Sequence, residues 1–537
     1  MMRLHGARLW QYLFLLPVIA LSFKSNAAQD GTIATNNAAL TSIGRKIYRD
    51  GLLPDGKPLT AIVAGDVAVL GTQFSCENCH GRSGMGAAEG DIIVPPIAGS
   101  ILYTPRPQPS RPAYTYKTLV HALREGIDPK GRKLDSLMPH FKLSDKEIKA
   151  LATYLQGLSS ETSPGVDANA IHFATVVSDT EDKKVRDAVL NVLQTFVNVK
   201  NRQTRLESQR PDRGYSPASR LRPVFRKWVL DVWTVKGPSD TWRAQLEKYY
   251  KRSPAFVLLG GLVPGSWKPM GQFCEAHEIP CLFPSTNLPY IKKDEFYSVH
   301  FSQGLFLEAK MIAKHIQSQH FKSVVQVHCG NIAKSAVDAL SEELKLYNIS
   351  EQDMSFECQE SAPVTKLAKQ VAASPGAAIV LWLGKNHVAQ LGKVLPTARA
   401  YMSSTLLKTE QAIKLPSLPI STYLVHPYKL PGKMDSAYIR FKVWAMRQKI
   451  AIQFPRQQSE AFFACLVAND AVSHLGRFLV RDYVLDMLDH SQPMTGYLPF
   501  YPKPTIGPGQ RFLTKGGYIV TALNGKLATR DAVWITP

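Results

Sequence analysis

Cys76-Glu77-Asn78-Cys79-His80-Gly81 is the stretch from which the rest of this 537-residue chain is read outward. Two thiols three positions apart can each add across a vinyl group of one porphyrin, and the histidine after the second thiol can reach the iron from below. The spacing therefore has a covalent reason. Two other chemistries use a CxxC pair. A structural zinc site wants a second ligand pair nearby, and no other CxxC exists in the chain. A redox dithiol follows a strand and opens a helix in a βαβ setting, without need of the histidine. One covalently attached haem c is the expectation, held by Cys76 and Cys79 with His80 as an axial ligand.

The chain's first residues agree with that chemistry. Arg3 and Arg8 precede an apolar stretch from Leu9 to Leu21, and Ser25-Asn26-Ala27 offers a small-x-small cleavage site. Residues 1–27 read as a cleavable secretory signal peptide, too short in its apolar run for a membrane span. No later segment has the unbroken apolar length to cross a bilayer, so a periplasmic location is expected. A formal charge of +21 would suggest nucleic acid in a cytosolic protein, but an exported chain rarely meets any. The excess of 64 basic over 43 acidic residues leaves either a docking face for acidic redox partners or a generally basic surface.

Beyond the haem pair, five of the seven cysteines remain. Cys274 and Cys281 flank a helix-to-strand turn, and Cys329 and Cys358 end two successive strands of a βαβ unit. Both pairs are candidate disulfides in an oxidising compartment. Cys465 lies in an apolar run and reads as a buried thiol.

Around the haem motif the chain reads as a small all-α domain over residues 28–158. Ile43 to Tyr48 forms a first helix, and Ser144-Asp145-Lys146-Glu147 is a capping box opening a last one with Ile148, Leu151, Leu155 and Leu158 on one face. Over about residues 40–158 this segment resembles the class I cytochromes c. The resemblance implies an electron-transfer haem, and Leu137-Met138-Pro139-His140 is similar to that family's distal loop, making Met138 the sixth ligand. Met85, His121 and His140 are the competing ligands. With both axial positions filled, electron transfer rather than oxygen chemistry is expected.

Residues 159–169 are polar and turn-forming, a linker. From 170 to 537 the texture changes. Strands are expected at 171–177, 228–235, 255–259, 296–301, 323–328, 354–358, 377–383 and 420–425, with helical patterns at 304–318, 332–346 and 364–373. Alternation of this kind predicts parallel sheets covered by helices, here in two α/β lobes. The runs Phe256 to Gly261 and Glu278 to Thr286 make this region similar to type I periplasmic solute-binding proteins, nearest the leucine/isoleucine/valine-binding branch. That resemblance implies a small-molecule ligand between the lobes and, as first-lobe contacts, Gly261, Leu262, Ser285, Thr286 and Asn287. The sequence also departs from the family. Leu262-Val263-Pro264 stands where amino-acid binders carry a carboxylate-gripping hydroxyl, and Ser403-Ser404 where they carry the acid for an α-ammonium. An ordinary amino-acid ligand is not expected.

Three functions fit these readings. The first, to which the residues point, is a periplasmic electron-transfer protein with a solute-binding module, its ligand gating exchange with a dehydrogenase or another cytochrome. The second is the receptor of an ABC-type importer and its permease, the haem being accessory. The third is an enzyme whose cleft substrate is oxidised by the haem. No triad, HExxH, Walker or GxGxxG pattern appears, so an electron carrier and binder is expected rather than a catalyst.

Overall fold

The computed structural model describes residues 27–63, 66–89, 92–107, 110–208, 226–292, 295–359, 364–391, 400–408, 422–430, 435–490, 496–523 and 526–537. The leader expected over residues 1–27 lies outside these but for Ala27. Among the described residues no helix is long and apolar enough to cross a membrane. The chain divides into two compact units, one of residues up to 72 with 115–155, the other of 73–114 with 156–537.

The smaller unit joins helices Ala27–Asp50, Tyr116–Glu125 and Asp145–Gly157, the last running on past residue 155, to a three-stranded antiparallel sheet. Its strands are Val67–Leu70, Thr60–Val63 and His140–Phe141, in that order. The all-α expectation is thus corrected for this part of the chain. The strands are two to four residues long, too short for alternation to register. Helix ends follow the sequence signals. Ser144 and Glu147 form the capping box, the Ser144 amide donating to the Glu147 carboxylate at 2.7 Å. Thr115 caps the middle helix, and Gly126, at φ 66°, closes it in the left-handed region. The first and last helices cross where Gly44 lies against Ala150: a Cβ at Gly44 would stand 2.2 Å from the Ala150 carbonyl oxygen. Ile47, Tyr48, Ile148, Leu151 and Leu155 are buried beside this crossing.

The larger unit contains two α/β lobes. The first lobe's six-stranded sheet is wholly parallel, ordered Phe512–Thr514, Ser298–Ser302, Cys281–Leu282, Val257–Leu259, Ala170–Ser178, Lys227–Val235. The second lobe runs Ser350–Phe356, Ser323–Cys329, Ala378–Trp382, Ala400–Ser403 and Thr422–His426 in parallel. Gly517–Leu523 then joins antiparallel, paired in turn with Lys526–Leu527 and Val533–Ile535. Buried β-branched and aromatic runs account for the central strands, as expected of sheets covered on both faces, whereas the edge strand Ser350–Phe356 is mostly exposed and Lys227–Val235 only partly buried. The chain passes between lobes three times: from Ser298–Ser302 into helix Leu305–Ser318, from Thr422–His426 back to helices Ser436–Arg447, Pro455–Leu475 and Arg481–Asp489, and from Phe512–Thr514 to Gly517–Leu523. The middle return places three helices on the first lobe's core.

Cys329 and Cys358 are joined in a disulfide with Cα atoms 5.1 Å apart. The other candidate pair is not joined: Cys274 and Cys281 are both buried thiols, as is Cys465. Burial, and then a hydrogen bond with Cys281, pushes the Cys274 thiol well above its ordinary range. The expected linker is fastened to the first lobe. Ser163 donates its amide to the Leu479 carbonyl and accepts the Arg481 amide on its hydroxyl, both at 3.0 Å. Arg481 also donates to the Pro164 carbonyl.

Candidate functional site

Cys76, Cys79 and His80 share the one-turn helix Cys76–His80. Ser75 caps it, its hydroxyl accepting the Asn78 amide at 3.3 Å, and Gly81 at φ 74° turns the chain away. His80 is buried, and its Nδ1 lies 2.9 Å from the Pro95 carbonyl. A carbonyl can only accept, so Nδ1 carries the proton and the lone pair is left on Nε2. Burial also holds the ring's pKa below its usual value, favouring the neutral imidazole that ligates iron. Burial pushes the Cys76 thiol up to about 12, so it stays protonated at neutral pH. Two thiols that are not in disulfides, one turn apart, beside a neutral imidazole with its lone pair fixed, are a donor set that fits a covalently held haem. Among the described residues no cluster of His, Cys, Asp and Glu suits a separate metal ion.

The turn after His80 is held by the first lobe. The Arg82 and Ser83 amides donate to the two carboxylate oxygens of Asp486, at 3.0 and 2.8 Å. Gly81 must be glycine here, because a Cβ would stand 2.7 Å from Asp486 Oδ2. Burial pushes the Asp486 carboxyl up to about 7, against the lowering effect of its Ser83 and Arg82 bonds. The Arg82 guanidinium lies over the Phe296 ring at 4.0 Å and near Glu77 and Asp482, at 3.4 and 3.9 Å. Ser159 donates its hydroxyl to the Ser83 carbonyl at 2.7 Å. None of these partners was legible in the sequence. Asp482 and Asp486 are four apart on one helix, which marks a shared face but not what it meets.

Met138 belongs to the smaller unit. Its amide donates to the Asp135 carbonyl at 2.9 Å, and buried Pro139 leads into the strand His140–Phe141. Among the competing ligands, His121 pairs with Glu125 at 3.1 Å on an exposed helix face, and His140 packs over Gly126. Met85 is buried in the larger unit, its amide on the Ser83 hydroxyl.

The five first-lobe cleft candidates do converge. Leu262 bridges Ser285 and Val177, Ser285 donates its amide to the Gly261 carbonyl at 2.9 Å, Thr286 caps the Leu288 amide, and Asn287 accepts the Leu305 amide at 2.9 Å. Their amides at 262 and 285 are therefore already spent on main chain. The Ser285 hydroxyl is also engaged, donating to the Glu460 carboxylate. Glu460 is buried and takes two more donors on its other oxygen, Tyr501 Oη at 2.6 Å and Arg456 Nη1 at 3.0 Å. Burial, and then the Glu460 charge, pushes the Tyr501 hydroxyl well above its usual range.

A matching polar cluster lies in the second lobe. Glu308 accepts from the Thr405 hydroxyl at 2.7 Å and from its amide at 3.2 Å. That hydroxyl having given its proton to Glu308, Tyr428 Oη must be the donor across the 3.0 Å to Thr405. The Tyr428 and Tyr501 rings stand 5.6 Å apart, which links the two clusters. Ser403 caps the short helix Ser404–Leu407, and Ser404 bonds His426 at 2.7 Å. Lys385 is exposed, while Trp267 and Trp382 are fully buried core residues. Arg456 and Glu460 escaped sequence reading because the pair, at i and i+4 near a helix start, looks like an ordinary solvated first turn.

Residues 68–159 match the cytochrome c family. Solved structures with which the chain shares similarity include a branched-chain amino acid ABC transporter protein from Thermus thermophilus with bound valine, at 12% identity and TM-score 0.48 over 69% of this chain and 97% of that one. The leucine-binding protein LivK from Thermotoga maritima is similar at 10% identity and TM-score 0.46, over 68% of this chain and 99% of that one. So is LivJ from Streptococcus pneumoniae in complex with isoleucine, at 11% identity and TM-score 0.47, over 69% of this chain and all (100%) of the other. No curated protein matches the chain.

Proposed function

We propose that this is a periplasmic single-haem electron-transfer protein fused to a small-molecule binding module: a leader over 1–27, a cytochrome segment over 28–158, a connecting segment over 159–169 and a two-lobed binder over 170–537. The observation that carries the reading is the His80 ring, with Nδ1 tied to the Pro95 carbonyl and its lone pair on Nε2, directly after two thiols. When bound, the haem supplies a one-electron couple, and the chain's part is to hold it through Cys76, Cys79, His80 and Met138. A methionine sulfur, as a weak soft axial ligand, favours ferrous iron. The binding module would take a small molecule between its lobes, with Gly261, Leu262, Ser285, Thr286 and Asn287 at the first-lobe turns. Ser285 already gives its hydroxyl to Glu460, so a ligand carboxylate would compete with an internal bond. That supports a ligand other than an ordinary amino acid. The partner in electron exchange is a dehydrogenase or a second cytochrome.

The test is the haem-loaded protein with Met138→Ala. The midpoint potential should fall and the iron should become open to carbon monoxide; an unchanged spectrum and potential would assign the sixth ligand elsewhere. A thermal-shift screen of small metabolites, with haem oxidation state followed in the same samples, tests the binding role. If none raises the melting temperature, that half of the reading fails.

A further inference from the structure

The helix Arg481–Asp489 belongs to the first lobe, yet its acidic residues reach both the haem motif and the chain segments that pass between lobes. Asp486 takes the two amides that follow Gly81, so it fixes the backbone immediately after the histidine. One turn on, Asp489 holds Arg511 through two bonds, at 2.7 and 3.1 Å. Arg511 directly precedes the strand Phe512–Thr514, from which the chain crosses to the second lobe. Phe296 lies just before the strand of the first crossing, and its ring is within 4.0 Å of the Arg82 guanidinium and 4.2 Å of that of Arg511. One short helix and one ring therefore touch the haem turn and two of the three crossings.

We propose that Asp486 is a positioning residue for the haem histidine and that, through Asp489, Phe296 and Arg511, it makes haem potential sensitive to the arrangement of the lobes. The inference rests on the haem reading above and adds how the binding module would regulate it. Its physical basis is ordinary. A buried carboxylate accepting two main-chain amides holds a turn firmly, and a charge or backbone shift at the ligand's neighbour alters the iron's environment.

The experiment uses the full haem-loaded chain. Covalent haem is first counted by the absorbance of its pyridine complex, then midpoint potential and the g-values of the ferric haem are measured. Asp486→Ala removes both bonds and should shift the potential by releasing the turn that holds the histidine, and should also change the g-values. Asp486→Asn keeps one acceptor, so it decides the matter should the alanine variant not accumulate; the same changes are expected, smaller. Arg511→Met, remote from the motif in sequence, should shift the potential in part. Tyr249→Phe removes a bond to the Thr234 carbonyl elsewhere in the first lobe and should leave both readouts unmoved. Haem-loaded wild type with Asp486 variants of unchanged potential and g-values overturns this inference alone, as does an equal change in Tyr249→Phe. A wild-type chain without haem overturns the functional reading and this inference together.

Discussion

His426 shows how one buried side chain sets a pH response. Its Nε2 lies 3.3 Å from the Lys429 carbonyl and so carries the proton; Nδ1 then accepts from Ser404. Burial holds its pKa down to about 4, and His300 in the first lobe is shifted alike. A histidine depressed in the fold contributes stability that is present above its unfolded pKa, near 6.5, and is lost as pH falls through about 4. For His426 the loss approaches about 3 kcal/mol at most. We expect the stability difference between wild type and His426→Gln to shrink steadily between pH 6.5 and 4, as followed by urea unfolding; a difference independent of pH would mean that the ring is not held neutral. Other decisive residues were out of reach of sequence reading for a plain reason. Ser285 meets Glu460 across 175 positions, and Arg82 meets Asp486 across 404. The grouping of Cys76, Cys79 and His80 in one helical turn was legible because it is local. The carboxylates that hold or oppose such sites are assembled only by the fold.

Elements were more legible than their partners. The strands expected at 171–177 and 228–235 run from Ala170 to Ser178 and from Lys227 to Val235, because long apolar, β-branched runs carry their own signal, buried nearly throughout in the first and only in part in the second, an edge strand. The helix expected at 364–373 has those bounds, and the capping box at Ser144 opens its helix as written. The three short strands of the smaller unit carried no such signal, and the long helix around Ile43 was read from its last turns alone. That helix supplies a sharp test. Any side chain at Gly44 must push its helix from the one bearing Ala150 and Tyr154. Gly44→Ala should therefore cost about 1–3 kcal/mol as an overpacked crossing, despite alanine's better helix propensity, and lower the melting temperature. A stabilised variant would show that the helices separate freely there.

On the scale of the whole molecule, the haem motif does not belong to the same compact unit as the first and last helices of its own segment. Residues 73–114 are grouped with the two lobes, and Asp486, Phe296 and the Ser159 hydroxyl explain why. A chain cut after residue 158 would leave the Arg82 and Ser83 amides without their acceptor. We expect residues 28–158 made alone to carry less haem per chain and to unfold at lower denaturant than the same segment in the full chain. Equal haem content and equal midpoint would show the lobes to be dispensable for it.

The disulfide between Cys329 and Cys358 has a consequence for how the chain is made. Thioether formation consumes two S–H groups without any oxidant, whereas joining Cys329 to Cys358 removes two electrons from the pair. If Cys76 and Cys79 take up haem as proposed, one polypeptide is oxidised at one place and kept reduced at another during the same maturation. Cys76 and Cys79, one helical turn apart, are themselves able to close on each other, and a chain so closed has no thiol left to offer a vinyl group. Order of events, rather than affinity, would then decide how much of the newly made protein ever becomes coloured.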